Sequence, residues 1–517
     1  MSKPFYITTT LPYVNSIPHI GFATEIIRAD SIARWKRASG FEVFSNTGTD
    51  EHGLKIFQKA KEAGIEPQVY VDQVASKFKE LLPILGISPE VNFIRTTDKH
   101  HTKAAQTFWQ LVDKNGFIYK KNYSVKYCIG CELEKTESEL VEGKCPLHPL
   151  QSLEIINEEN YFFRFSAFQE QLLDLYDKSS SSSVNNSTES SRQPFVIPES
   201  RQREIRAFVE RGLDDFSISR LKSKMPWGIP VPEDEEQVMY VWFDALVNYV
   251  SAVGWPDDVV ADKAMPGSFK KWCVETGGMV QYCGKDNLRQ QSAMWQAMLL
   301  AAGLPTSKTV IVDGFVTADG GVKMSKSLGN TVDPVALVKE FGTDAMRYYC
   351  LHELHPFEDS PCTVERFKDA YNANLANGLG NLVSRVMKMA ETSGITIADK
   401  LKTYEDSLKS GKFIVSAILS TEYMAGLEEY NLKKSMDAIW SIIAVSDKLI
   451  QVKQPFKLVK SEDDKDKADG KSCIETLLNN IHTIGVALQP FMPTTAQMIL
   501  ECIYNNKMPA TPLFLRK

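Results

Sequence analysis

Two stretches far apart in the chain, Pro18-His19-Ile20-Gly21-Phe22 and Lys323-Met324-Ser325-Lys326-Ser327, carry residue types that phosphate chemistry needs. His19 and Gly21 follow an apolar, threonine-rich run from Phe5 to Leu11 that reads as a buried strand. They precede Phe22–Arg37, whose apolar residues recur at helical spacing. They therefore fall at a helix N-terminus, where unpaired backbone N–H groups and the positive end of the helix dipole favour phosphate. Gly21, lacking a side chain, permits close approach. The second stretch sets two lysines in a Gly- and Ser-rich loop, Asp319 to Asn330, after the strand-like Thr309–Val312. Their ammonium groups can meet charge that grows on a leaving pyrophosphate.

A second constellation is metal-ligating. Cys128-Ile-Gly-Cys131 and Cys145-Pro-Leu-His148 form a C-x2-C…C-x2-H arrangement with thirteen residues between the pairs. Four N/S ligands with no spare position describe a closed tetrahedral site for one structural zinc ion. The remaining cysteines, Cys273, Cys283, Cys350, Cys362, Cys473 and Cys502, are scattered and read as reduced packing residues.

The elements that must position these residues alternate. Strand-like Phe5–Thr10, Val43–Asn46 and Phe93–Arg95 are interleaved with amphipathic Ala23–Arg37, Gln68–Leu85 and His101–Asn115, a βαβ series that predicts a Rossmann-type parallel sheet. The α/β pattern stops near Ile118 and resumes with Val238–Val250 and Met279–Ala302. The fold class is therefore α/β: a parallel-sheet catalytic domain, first half 1–117 and second half 236–308, split by a zinc-bearing connective insert, 118–235. Residues 309–360 hold the lysine loop. From 361 to 517 no strand period appears, and Lys368–Ala390, Ile414–Tyr430, Leu432–Val452 and Cys473–Leu488 read as an all-α bundle. Lys178–Arg192, with five consecutive serines, and the mixed-charge run Ser461–Lys471 read as disordered.

At 517 residues, 43% of them hydrophobic, the chain can build two to four domains. No apolar run approaches the ~18 residues of a membrane helix, and no leader precedes the first strand, so the expectation is a cytoplasmic protein. Its net charge of −6 argues against a uniformly basic nucleic-acid binder. A nucleic-acid partner would need a local basic track; Arg201–Arg211, Arg220–Lys224 and Lys448–Lys460 are candidates, each of which also reads as a solvated helix face.

In this order and context the two phosphate motifs resemble the HIGH and KMSKS signatures of class I aminoacyl-tRNA synthetases. Leu11-Pro12-Tyr13-Val14-Asn15, Gly48-Thr49-Asp50-Glu51-His52-Gly53, Trp227-Gly228-Ile229-Pro230, Tyr240-Val241-Trp242-Phe243-Asp244-Ala245, Gly284-Lys285-Asp286 and the zinc insert narrow the resemblance to the methionyl-tRNA synthetase family, over about residues 5 to 495. The implied reaction joins L-methionine and ATP, with Mg²⁺, into methionyl-adenylate and pyrophosphate, then passes methionine to tRNA(Met). By resemblance, His19, Gly21, Asp286, Lys323, Ser325 and Lys326 serve ATP. Leu11, Tyr13, Trp242, Ala245, Leu246, Tyr249, Gln291 and Trp295 line the methionine pocket, and Asp50 takes the substrate ammonium. Aromatic rings suit a polarisable thioether, although Trp242, Ala245 and Tyr249 on one helical face read, taken alone, as ordinary core.

The helical bundle resembles the family's anticodon-binding domain, with Asn381, Arg385 and Phe456 as readers. Phe456 stands where the family usually has a tryptophan. The chain ends soon after Pro490-Phe-Met-Pro493 with no appended module, so a monomer is expected. Two departures bear on chemistry: Phe22 occupies the position of the first signature's second histidine, and Gln291 that of a pocket histidine. They leave open a fold-retaining tRNA binder that lacks the chemistry. The aromatic pocket argues against a synthetase for cysteine, and the absence of a large editing insert against one for leucine or isoleucine.

Overall fold

The computed structural model describes residues 2–15, 17–130, 133–135, 139–180, 193–260, 263–322, 324, 331–398, 401 and 420–517. Its centre is a six-stranded parallel sheet built from β1 (Pro4–Thr9), β2 (Glu42–Thr49), β3 (Asn92–Arg95), β4 (Val196–Ile197), β5 (Val280–Gly284) and β6 (Thr309–Asp313), in spatial order β3-β2-β1-β5-β6-β4. In register, Ile7 lies opposite both Ser45 and Val280, and Tyr282 opposite Ile311. The strand order reverses direction at β1 and β5, the switch point outside whose carboxyl ends ligands of open α/β sheets bind. The three strands expected in 1–117 are present within one to three residues at each end.

The period of two separates the sheet's faces. Phe5, Ile7, Tyr282 and Ile311 enter one apolar core; Tyr6, Cys283, Val310 and Val312 enter the other. The first core is shared by α1 (Ile20–Ala38), α2 (Pro67–Ile84) and the C-terminal helices α5 (Asn381–Ser393), α6 (Leu432–Lys453), α7 (Asp464–Leu488) and α8 (Pro493–Tyr504). The second holds α3 (Lys99–Lys114) and α4 (Val241–Leu246). Because the sheet and the C-terminal bundle clamp α1 from two sides, it is buried nearly all round, and even Arg28 and Asp30 lie inside. The amphipathic pattern read for this segment is therefore too weak a description of it.

Buried ions weld that junction. The Arg347 guanidinium, fully buried, is 2.9 Å from Asp30 Oδ2 and donates to the Phe491 carbonyl at 2.7 Å and the Pro490 carbonyl at 3.2 Å. Asp30 also accepts from Ser88 N and Oγ and from Arg34. Leaving either charge unpaired there would be strongly destabilising.

The 118–235 segment contains an antiparallel ribbon, Ile118–Cys128 paired with Glu154–Phe163, and two flanking strands, Leu133–Lys135 and Phe216–Ser217. It is not separate from the central sheet, as the sequence boundary implies: β4, in its middle, pairs with β6. Two residues were too short a run to register as a strand.

The run Ser461–Lys471, read as disordered, is instead mostly the first turns of α7. Asp463 accepts from Lys465 N at 2.8 Å and Asp466 N at 3.0 Å, and Asp464 and Asp466 place negative charge in the first turn. Gly470 then lets α7 pack on Pro455–Leu458, since a Cβ there would stand 2.8 Å from Leu458 Cβ. Of the Ser-rich run, Lys178–Ser180 close the helix Gln169–Ser180, and 181–192 lie outside the described residues. Among the described residues, no helix is long and apolar enough to cross a membrane.

Candidate active site

His19 is the N-cap of α1: its backbone is extended and its Nδ1 accepts from Gly21 N at 3.1 Å. The ring lies over Gly21, where a Cβ would meet His19 Cε1 at 2.9 Å. Glycine is thus required by the histidine it faces, which holds the imidazole, exposed, at the positive end of α1. Phe22 turns inward instead, 7% exposed, its ring edge-to-face with Phe78 at 5.1 Å. The position that the signature usually gives to a second histidine is occupied here by a core side chain.

Thr10, Leu11, Asp50, Trp242, Ala245, Leu246, Asn248, Tyr249, Asn287, Gln290 and Gln291 line one pocket. Seven of the nine predicted methionine-pocket residues are among them. Tyr13 borders the pocket through the backbone, bridging Asp50, whose N–H donates to the Pro12 carbonyl at 3.0 Å. Trp295 does not line it. This indole is 0% exposed, stacked on Phe108 at 5.8 Å and packed behind Tyr249 at 5.8 Å, so it supports the wall from the core.

The pocket's inner end is a chain of uncharged groups. Gln291 Nε2 donates to Tyr249 Oη at 2.7 Å, and its Oε1 accepts from Gln281 Nε2 at 2.6 Å; Gln296 and Ser307 complete the network. Burial pushes the Tyr249 phenol far above its ordinary value, so it stays neutral.

Thr10, Asn248, Asn287 and Gln290 escaped the sequence reading, as did Glu25. The Glu25 carboxyl, one turn inside α1, accepts from Thr10 N at 2.7 Å. Burial first, then the nearby Asp313 carboxylate, raises its pKa well above the ordinary value. A glutamate nearly two helical turns past His19 was the available signal. Asp286, exposed on the short turn after β5, takes a bond from Asn287 Nδ2 at 3.3 Å, and its Oδ1 would stand 2.8 Å from a Cβ on Gly284. Lys323, Ser325 and Lys326 lie outside the described residues, and Met324 between them packs on the first core.

In the insert, Cys128, Cys145 and His148 bring one ligand atom each within 4.8 Å of one another, with Cys128 Sγ 3.7 Å from His148 Nδ1. That is close to the roughly 3.6 Å edge of a tetrahedron with zinc–sulfur and zinc–nitrogen bonds. Gly130 makes room, since a Cβ there would stand 2.6 Å from His148 Cγ. Cys131 lies outside the described residues.

In the bundle, Asn381 is exposed and Arg385, one turn on, ion-pairs with Asp447 of α6 at 3.0 Å. Gln454, with φ 47°, ends α6 and swings the chain so that Phe456 stands 43% exposed on the turn Pro455–Leu458. The three basic tracks fare differently. Arg201, Arg203 and Arg206 pair with Glu204, Glu199, Asp177 and Glu210, and Arg220 is buried on Ser217 and the Ser219 carbonyl. Lys448, Lys453, Lys457 and Lys460 are exposed around Phe456 and make no ion pair among the described residues.

Known proteins resemble this chain over nearly its whole length. The family model described as "tRNA synthetases class I (M)" matches residues 5–154 and 148–387, and that of the anticodon binding domain of methionyl tRNA ligase matches 414–511. A methionine–tRNA ligase of Thermosynechococcus vestitus is 38% identical over 504 residues, covering 96% of this chain and 90% of its own. Another from Thermotoga maritima is 36% identical over 518 residues, covering 98% and 76%. Among solved structures, a Mycobacterium tuberculosis methionyl-tRNA synthetase in complex with methionyl-adenylate superposes with a TM-score of 0.83 at 33% identity, covering 96% of this chain and 93% of that one.

Proposed function

The chain belongs to the methionyl-tRNA synthetase family, and from that premise we propose how its own residues perform the ligase reaction. The enzyme activates L-methionine with ATP and transfers it to tRNA. The observation that carries the site reading is the pocket that joins Asp50 to Trp242, Ala245, Leu246, Tyr249 and Gln291, whose Thr10 N–H is bonded to Glu25 of α1.

Methionine enters with its thioether toward the Tyr249–Gln291 pair and its ammonium on Asp50, because a buried cation needs a carboxylate partner. The carboxylate is left facing the N-terminus of α1. It attacks the α-phosphorus of ATP in line, the bond to the bridging oxygen breaks, and pyrophosphate leaves with the electron pair. The nucleophile is already ionised, so the site needs positioning and charge stabilisation more than a general base. His19 and the first N–H groups of α1 stabilise the phosphates from one side, and Lys323 and Lys326 from the other, with Asp286 beside the adenosine and Ser325 in the same loop. Mg²⁺ accompanies ATP as part of that substrate. In the second step a hydroxyl of the terminal ribose of tRNA(Met) attacks the methionyl carbonyl and AMP leaves.

Cys128, Cys131, Cys145 and His148 would hold one zinc ion, whose closed ligand set gives it a structural role. Asn381, Arg385 and Phe456 read the anticodon, with Lys448, Lys453, Lys457 and Lys460 on the phosphates. We propose a monomer as the acting form.

The test is ATP–pyrophosphate exchange by the purified protein with methionine, and with leucine, isoleucine, valine and cysteine in parallel, followed by charging of tRNA(Met). Exchange with methionine alone is expected; exchange with none would leave a protein that binds tRNA without the chemistry.

A further inference from the structure

Behind the pocket lies a second cluster that no part of the reaction uses. Asp244, with a fully buried side chain, has His52 Nδ1 3.0 Å from its Oδ2 and His101 Nε2 3.6 Å from its Oδ1; the two imidazoles are 8% and 0% exposed. His101 Nδ1 in turn stands 2.9 Å from Ser251 Oγ. Burial alone would push the Asp244 carboxyl up, and the neighbouring His52 and His101 imidazoles outweigh it, holding the carboxyl below its ordinary value.

The members come from the elements that form opposite walls of the pocket. His52 sits in the turn after β2, two residues past Asp50. Asp244 is on α4 between Trp242 and Ala245, and Ser251 ends the short helix Asn248–Ser251 that carries Tyr249. His101 is in the first turns of α3. The turn after β2 is itself held from two further directions. Trp227 Nε1 donates to the Glu51 carbonyl at 2.6 Å, and Arg95 grips the Glu51 carboxylate at 2.7 and 2.8 Å. Arg95 also pairs with Asp72. Charged, hydrogen-bonded contacts specify one relative placement where apolar packing tolerates several.

We propose that Asp244, clamped between His52 and His101, is a positioning residue for methionine: it sets the separation between the Asp50 carboxylate and the Trp242–Tyr249 wall. It touches neither substrate and acts through Asp50 and Trp242. The proposal rests on the reading that Asp50 takes the methionine ammonium, and it predicts an effect confined to methionine, since the cluster joins the turn that carries Asp50 to the helices that carry Trp242 and Tyr249.

The experiment is steady-state ATP–pyrophosphate exchange with full-length, zinc-loaded enzyme, varying methionine and ATP separately, for wild type and for Asp50→Asn, Asp244→Asn, His52→Asn and His52→Ala. Asp244→Asn is expected to raise the KM for methionine about tenfold while the KM for ATP stays put, the scale of effect that a small misplacement of a binding group produces. His52→Ala should do the same. His52→Asn, which keeps an N–H donor near the position of Nδ1, should stay close to wild type. Parallel rises in both KM values, or an unchanged KM for methionine in Asp244→Asn and His52→Ala, would overturn the clamp. If Asp244→Asn fails to fold, the contrast between His52→Ala and His52→Asn decides the question in the same terms. An unchanged KM in Asp50→Asn would instead show that the ammonium assignment is wrong, and the clamp would fall with it.

Discussion

Gln291 donates its amide to Tyr249 Oη at 2.7 Å while its carbonyl accepts from Gln281 at 2.6 Å, so both ends of the amide are spoken for and its orientation is set by its neighbours. A group that cannot titrate therefore orients the phenol that lines the pocket. Gln291→Leu should remove the partner of a buried hydroxyl, costing about 1–3 kcal/mol and raising the KM for methionine by about tenfold or more. Gln291→His should add an inflection near pH 6.5 to the KM for methionine that wild type lacks. Pyrophosphate exchange over a pH series checks both.

Phe22 is buried against Phe78, so restoring the signature's histidine should not restore a phosphate contact. Phe22→His is expected to leave the exchange rate at or below wild type and to lower stability by about 1–3 kcal/mol, through a polar ring placed in the core. Urea denaturation and exchange measured on the same preparation give the answer; a faster enzyme would contradict the inward placement.

Zinc content should be close to one ion per chain, and His148→Ala should lower it and the melting temperature together, because the Cys128–Cys145–His148 triangle has lost an N ligand. Chelation of wild type should melt the insert before the parallel sheet, which has its own two cores. Metal analysis with calorimetry distinguishes this from a zinc needed for the chemistry, where exchange would stop on substitution without any thermal change.

Phe456 stands exposed, with the Lys457 ammonium 6.0 Å from its ring and Lys453 and Lys460 exposed nearby in the sequence. Phe456→Ala should weaken tRNA binding by about 1–3 kcal/mol, the value of one stacked base, while leaving pyrophosphate exchange unchanged. Phe456→Trp should bind somewhat more tightly. Replacing Lys453 or Lys457 by alanine should each flatten the salt dependence of tRNA affinity by about one unit of slope. Filter binding at several salt concentrations measures all of these.

The Asp30–Arg347 pair ties α1 to the helix Thr343–Tyr348, from which Arg347 also grips the Pro490 and Phe491 carbonyls. Burial raises the Asp30 carboxyl, but Arg347 and Arg34 outweigh it and hold it below its ordinary 3.8. Its contribution is thus fully present above that ordinary value and is lost as pH falls through the lowered one, so acid should loosen the junction below about pH 4. Arg347→Met, which leaves Asp30 buried and unpaired, should cost about 3–5 kcal/mol. Acid titration followed by near-ultraviolet dichroism tests the first expectation, and denaturant unfolding the second.

The sequence alone determined what local chemistry can encode. His19 and Gly21 at a strand-to-helix turn, the cysteine–histidine spacing, the period-two and helical runs, and the pocket residues Asp50, Trp242, Ala245, Leu246 and Tyr249 were all legible, because each depends on near neighbours or on motifs quoted whole. What it could not give depends on elements far apart in the chain. Phe22 faces Phe78, and Trp295 packs on Tyr249 and is not among the residues that line the pocket, because a side chain's direction is settled by what packs on its helix. β4 joins the sheet through pairing with β6, and α7 begins in a charged run because Asp463 caps it and Gly470 fits against Leu458. His52, His101 and Asp244 meet only in the folded chain, where burial turns three separate polar residues into one buried cluster.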